Sequence, residues 1–124
     1  MKKKILVVED DKFLAELLTK KIVESGFNAT YAHNGKEAIE KIKTKFPDLI
    51  LLDLLLPDSS GFELLSKIKE DPETLSIPVI ILSNMSQKED VDKGLELGAV
   101  DYLIKSQLSM NEIIDKVKQV FEQK

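Results

Sequence analysis

The chain has 124 residues, 43% hydrophobic and 32% charged, with a net charge of −4, which suits one globular domain. It has no cysteine, so disulfides, thiolate chemistry and Cys-based zinc sites are excluded. All 18 basic residues are lysines interspersed with acids; without a guanidinium fork or a basic block, direct nucleic-acid binding is not expected.

The chain opens with "MKKKILVVED", which begins like a signal peptide but turns acidic after four aliphatics, too few for a hydrophobic core region. No apolar run approaches the roughly 18–20 residues of a membrane span, so a cytoplasmic protein without membrane insertion is expected. "ILVV" (5–8) reads as a first strand, because continuous apolar runs suit parallel strands covered on both faces. Glu9, Asp10 and Asp11 follow; Asp11 suits the N-cap of a helix striped by Phe13, Leu14, Leu17, Leu18 and Ile22. Gly26 falls where that helix would end, and "NATYA" (28–32) mixes polar and apolar residues as an edge strand does. His33, the one histidine, reads as loop surface beside the cap pair Asn34 and Glu37.

Pro47 precedes a second apolar run, "LILL" (49–52), which ends on Asp53. Ser60 with Glu63 opens a third helix. Pro78 precedes "VIIL" (79–82), after which come Ser83 and a cap signature, Ser86 with Glu89. "KEDVDKGLE" reads as a solvated helix face closed by Gly98. "VDYLI" (100–104) is a second mixed edge strand, followed by Lys105. Ser109 with Glu112 opens a last helix, striped by Met110, Ile113, Ile114, Val117 and Phe121.

Five alternating strand and helix units imply an α/β fold with helices on both faces of a parallel sheet. With the three apolar strands central, the strand order 2-1-3-4-5 fits. That is the flavodoxin-like doubly wound (βα)5 order, in which ligands bind beyond the carboxyl ends of the strands. Residues 1–124 form a single domain in this reading.

Those carboxyl ends bring unusual chemistry to one rim. Strands 1, 3, 4 and 5 deliver Glu9, Asp10 and Asp11, then Asp53, Ser83 and Lys105. Two carboxylates about 5 Å apart repel by roughly 3 kcal/mol at an effective dielectric near 20, so the cluster needs compensation. Oxygen donors without His or Cys suit a hard hydrated cation, and Mg²⁺ fits best. Lys105 and Ser83 would add a charge and a donor for phosphoryl oxygens, and an Asp facing such a metal can form an aspartyl phosphate.

The whole chain resembles a response-regulator receiver domain of two-component signalling, of the chemotaxis-regulator type. "ILVVEDD" resembles the family's opening strand and acidic cluster, and "DLILLDLLLPDSSGFELL" its phosphoacceptor strand and loop. "IPVIILSN" is similar to its switch-hydroxyl strand, and "GAVDYLIK" to its aromatic-plus-lysine segment. The resemblance implies that Asp53 is the phosphorylated aspartate, and that Glu9, Asp10, Asp53 and the Leu55 backbone carbonyl organise Mg²⁺. It implies that Ser83 is the hydroxyl that moves to the phosphoryl group and Lys105 the group's ion-pair partner. Tyr102 would be the aromatic switch, and Pro57 and Gly61 would shape the loop beyond Asp53.

The implied function is a stand-alone phosphoacceptor switch, charged by a histidine kinase or histidine phosphotransfer protein. The switched surface would be the face of the fourth helix, fifth strand and fifth helix, acting on a downstream protein or a second copy of the chain. Such a receiver converts no external small molecule and is not a turnover enzyme. Two rival readings stand beside it: a binding module with the same fold that works without phosphorylation, and a Mg²⁺-dependent phosphohydrolase using Asp53. The latter often carries a second aspartate two residues on, where this chain has Leu55. A flavodoxin-like cofactor carrier would need a Ser/Thr/Gly-rich phosphate loop after strand 1, which is absent.

The chain also departs from the receiver pattern. The family usually follows its lysine with a proline in a cis peptide; here the residue is Ser106. A cis bond before a non-proline residue costs about 2.5–4 kcal/mol, so the bond is either strained or trans. Asn84 stands where a small residue is usual, and Leu55 and Met85, at positions that tune phosphoryl lifetime, are both apolar.

Overall fold

The computed structural model describes residues 1–122, so the last two positions of the single-domain span lie outside it. In chain order the elements are β1 (Lys4–Val8), α1 (Lys12–Glu24), β2 (Asn28–Ala32), α2 (Gly35–Lys45) and β3 (Leu49–Leu52). They continue as α3 (Gly61–Glu70), β4 (Val79–Ser83), α4 (Lys88–Glu96), β5 (Asp101–Ile104), a 3₁₀ turn (Lys105–Gln107) and α5 (Met110–Glu122). All strand pairs are parallel and the sheet order is β2-β1-β3-β4-β5, as the sequence predicts.

The continuous aliphatic runs work because both faces of the central strands are covered. Successive side chains alternate across a strand. Leu6, Val8, Ile50, Leu52, Val79 and Ile81 therefore enter one core, completed by α2 and α3. Ile5, Val7, Leu49, Leu51, Ile80 and Leu82 enter a second, closed by Leu18 and Ile22 of α1 and by Ile113, Ile114 and Val117 of α5. Each fully buried aliphatic contributes about 1.5–3 kcal/mol relative to exposure, so these strands form a rigid platform.

Helix caps set where the chain leaves each strand. Asp11 Oδ1 accepts the Leu14 N–H at 3.1 Å, and Asn34 Oδ1 accepts that of Glu37 at 2.8 Å. Ser109 and Glu112 form a reciprocal capping box, with bonds of 3.1 and 3.0 Å. Gly26 and Gly98 follow the ends of α1 and α4 with φ of 101° and 110°, a conformation that favours glycine.

Three expectations about the helices need correction. Ser60 caps α3 through the Phe62 N–H, not through that of Glu63. The Ser86–Glu89 cap does not form: α4 starts after Gln87, one residue later, without a side-chain cap. Phe13 is not core; it is 77% exposed. At about 100° per residue it lies opposite the buried face of Ala15, Leu18 and Ile22.

Candidate functional site

The register aligns the strand ends that build the rim. Val8 pairs with Leu52, and Ser83 with Ile104. The Asp53 N–H bonds the Val8 carbonyl at 2.9 Å and the Glu9 N–H that of Ala32, also at 2.9 Å. Backbone ladders therefore hold Glu9 and Asp53 before their side chains make any contact.

Glu9 is 3% exposed, Asp53 7% and Ser83 0%, an uncommon depth for such groups. One cation compensates both acids. Lys105 Nζ donates to Asp53 Oδ2 at 3.0 Å and to Glu9 Oε1. The remaining carboxylate oxygens accept backbone donors: Asp53 Oδ1 takes the Leu55 N–H at 3.3 Å, and Glu9 Oε2 that of Asp11 at 3.0 Å. Among the described residues no buried side-chain polar atom lacks a partner.

Burial, the largest influence, pushes the Glu9 carboxyl up, against the opposing pull of Lys105 and the Asp11 N–H. Burial also acts to lower the Lys105 pKa, but the hydrogen bonds and charges of Glu9 and Asp53 outweigh it and leave the ammonium above its ordinary value.

Ser83 Oγ accepts the Met85 N–H at 3.1 Å. The Tyr102 hydroxyl, on the neighbouring strand, donates to the Met85 carbonyl at 2.5 Å, and burial raises its pKa. Asp10 is exposed beside Glu9, and Asp11 serves as the cap of α1. Among the described residues no three His, Cys, Asp or Glu side chains converge as a ready metal-ligating group. Glu9 and Asp10 after β1 and Asp53 after β3 offer only oxygen donors, a chemistry that suits a hard divalent cation.

Three contacts were not foreseen in the sequence. Asp58 accepts the N–H groups of Gly35 at 2.8 Å and Lys36 at 3.1 Å, tying the loop after Asp53 to the start of α2. His33 is half-buried instead of loop surface, and its Nδ1 lies 3.2 Å from the Glu9 carbonyl. Asn84 Oδ1 accepts the Ser106 N–H at 3.1 Å. The only advance signal for this last pair was that both residues break the receiver pattern. The peptide bond before Ser106 is trans, as are all those among the described residues.

The response regulator receiver domain family matches residues 5–118. The chain is 36% identical over 120 residues to the phosphate regulon transcriptional regulatory protein PhoB of Escherichia coli K12, covering 97% of this chain and 52% of that protein. It is 38% identical over 120 residues to the alkaline phosphatase synthesis transcriptional regulatory protein PhoP of Bacillus subtilis, covering 97% and 49%. The chain thus spans about half the length of the curated relatives it matches. Among solved structures, the receiver domain of the Francisella response regulator 1452 superposes with a TM-score of 0.88 at 36% identity, covering 97% of each chain.

Proposed function

Because this chain belongs to the response regulator receiver domain family, we propose that it is a phosphoacceptor switch with Asp53 as the phosphorylated residue. The observation that carries this reading is the buried Asp53 carboxylate at a strand end, sharing one lysine with Glu9. The donor would be a phosphohistidine of a histidine kinase or phosphotransfer protein.

An Asp53 carboxylate oxygen attacks the phosphorus as the N–P bond to the donor imidazole breaks, and that nitrogen keeps the electron pair. Glu9, Asp10, Asp53 and the Leu55 carbonyl would hold Mg²⁺, which when bound neutralises charge on the phosphoryl oxygens. Lys105 supplies the other countercharge and exchanges its carboxylate partners for a phosphoryl oxygen. Ser83, whose Oγ now accepts the Met85 N–H, turns its hydroxyl to the same group. Tyr102, bonded to the Met85 carbonyl, follows that segment. A local charge event thereby biases the face of α4, β5 and α5, which would engage a downstream protein or a second copy of the chain. In this reading the chain turns over no external small molecule and works in the cytoplasm. Among the described residues no helix is long and apolar enough to cross a membrane.

The test is acetyl phosphate with Mg²⁺, followed by intact mass and Tyr fluorescence. The wild type should gain one phosphoryl group only with Mg²⁺, and Asp53→Asn should gain none. An adduct that persists in Asp53→Asn, or its absence in the wild type, would overturn the assignment.

A further inference from the structure

Two residues at the rim that depart from the receiver pattern are joined to each other. Asn84 leaves the end of β4, Ser106 follows Lys105 beyond β5, and the side-chain Oδ1 of the first accepts the N–H of the second at 3.1 Å. A proline at 106 would have no N–H to give, and an alanine at 84 no acceptor to offer. The bond therefore needs both departures together.

It is also one of two ties between the same segments. One residue beyond Asn84, the Met85 carbonyl accepts the Tyr102 hydroxyl at 2.5 Å. Tyr102 lies within β5, three residues before Lys105, and Ser106 directly follows it, so the residues after β4 hold the chain on both sides of that lysine. That segment follows directly on Ser83, the last residue of β4, whose Oγ accepts the Met85 N–H.

We propose that Asn84 is a positioning residue for Lys105. Its carboxamide fixes the Ser106 amide and with it the lysine's backbone, the role a prolyl ring would otherwise serve by restricting the chain. The inference rests on the phosphoacceptor reading and deepens it. Any shift of the Ser83 segment toward phosphorylated Asp53 is passed through Asn84 to the backbone that carries Lys105.

The test is a double-mutant cycle of Asn84→Ala and Ser106→Pro, with Asn84→Asp as the variant that keeps an acceptor. Two quantities are read on the full chain: Ser106 amide hydrogen exchange by NMR, and the rate of Asp53 phosphorylation by acetyl phosphate with Mg²⁺. Asn84→Ala should speed Ser106 exchange and slow phosphorylation, each by about fivefold, while Asn84→Asp keeps the amide protected. In the Ser106→Pro background Asn84→Ala should change the phosphorylation rate by less than about twofold, because no N–H remains to be accepted. Unchanged Ser106 exchange in Asn84→Ala, or rate losses that simply multiply, would overturn the proposal. Failure of the wild type to take up phosphate would instead count against the phosphoacceptor reading, and the exchange measurement does not depend on it.

Discussion

Lys105 and Asp53, 52 residues apart in sequence, meet at 3.0 Å, and the same ammonium also bonds Glu9. One half-buried cation thus answers two buried carboxylates that would otherwise repel each other. Removing it leaves both acids without their countercharge, which is far more costly than losing a surface pair. Lys105→Met should lower the unfolding free energy by about 3 kcal/mol in Mg²⁺-free urea melts. Adding Asp53→Asn should recover part of that loss. A Lys105→Met protein as stable as the wild type would contradict the shared-cation account.

The same pairing predicts a pH dependence. Lys105 is held above its ordinary value of 10.5, burial opposing the shift and the two acids outweighing it. A group raised by folding stabilises fully below its unfolded pKa, and that contribution is lost as pH climbs through the folded value. Stability should therefore fall above about pH 10.5, by more than in Lys105→Met. Glu9 is raised chiefly by burial, so ionising it costs stability as pH rises past its ordinary 4.5. Asp58 and Glu112 are lowered, first by the N–H groups of Gly35 and Ser109. Their contributions are present above the ordinary carboxylate range and are lost as pH falls through the folded values. Asp58→Asn and Glu112→Gln should flatten the acid limb of a urea-melt series.

Gly61 guards the loop that follows Asp53. A Cβ there would come within 2.6 Å of both the Asp53 carbonyl oxygen and the Leu54 Cα, and these backbone atoms cannot give way cheaply. The Gly61 N–H also bonds the Leu54 carbonyl at 2.8 Å. Gly61→Ala should cost about 3 kcal/mol and slow phosphorylation of Asp53. Urea melts and acetyl phosphate labelling check the two effects separately.

Leu55 and Met85 line one cavity beside the site, with Leu56 and Phe62. Leu55 is 65% exposed, so its side chain lies outside the core. Apolar groups there should limit the approach of water to an acyl phosphate. Leu55→Asn and Met85→Glu should each speed loss of phosphate by about tenfold, a barrier change near 1.4 kcal/mol. Decay of labelled protein after removal of the donor measures it. Unchanged decay in both would remove the case for a long-lived phosphate.

The elements were legible in the sequence because the signals that make them are local. "LILL" and "VIIL" are buried on both faces, and the Asn34 and Ser109 caps depend only on residues three apart. The strand ends therefore named Glu9, Asp53, Ser83 and Lys105 as rim residues. Phe13 was misplaced because an apolar side chain early in a helix can seem to extend a stripe that the packing of α1 leaves on its far side. Ser86 failed as a cap because a shift of one residue in the start of α4 takes the side chain out of reach.

What the sequence determined by itself was the order of the strands and the kinds of group brought to their carboxyl ends. Periodicity, caps and right-handed crossovers leave little freedom there. Only the tertiary structure decided which groups meet. Lys105 divides itself between Asp53 and Glu9 and leaves Asp10 exposed, and Asn84 reaches Ser106. Those contacts depend on the separation and twist of strands that lie far apart in the chain, and hydrogen bonds are won or lost over a few tenths of an ångström.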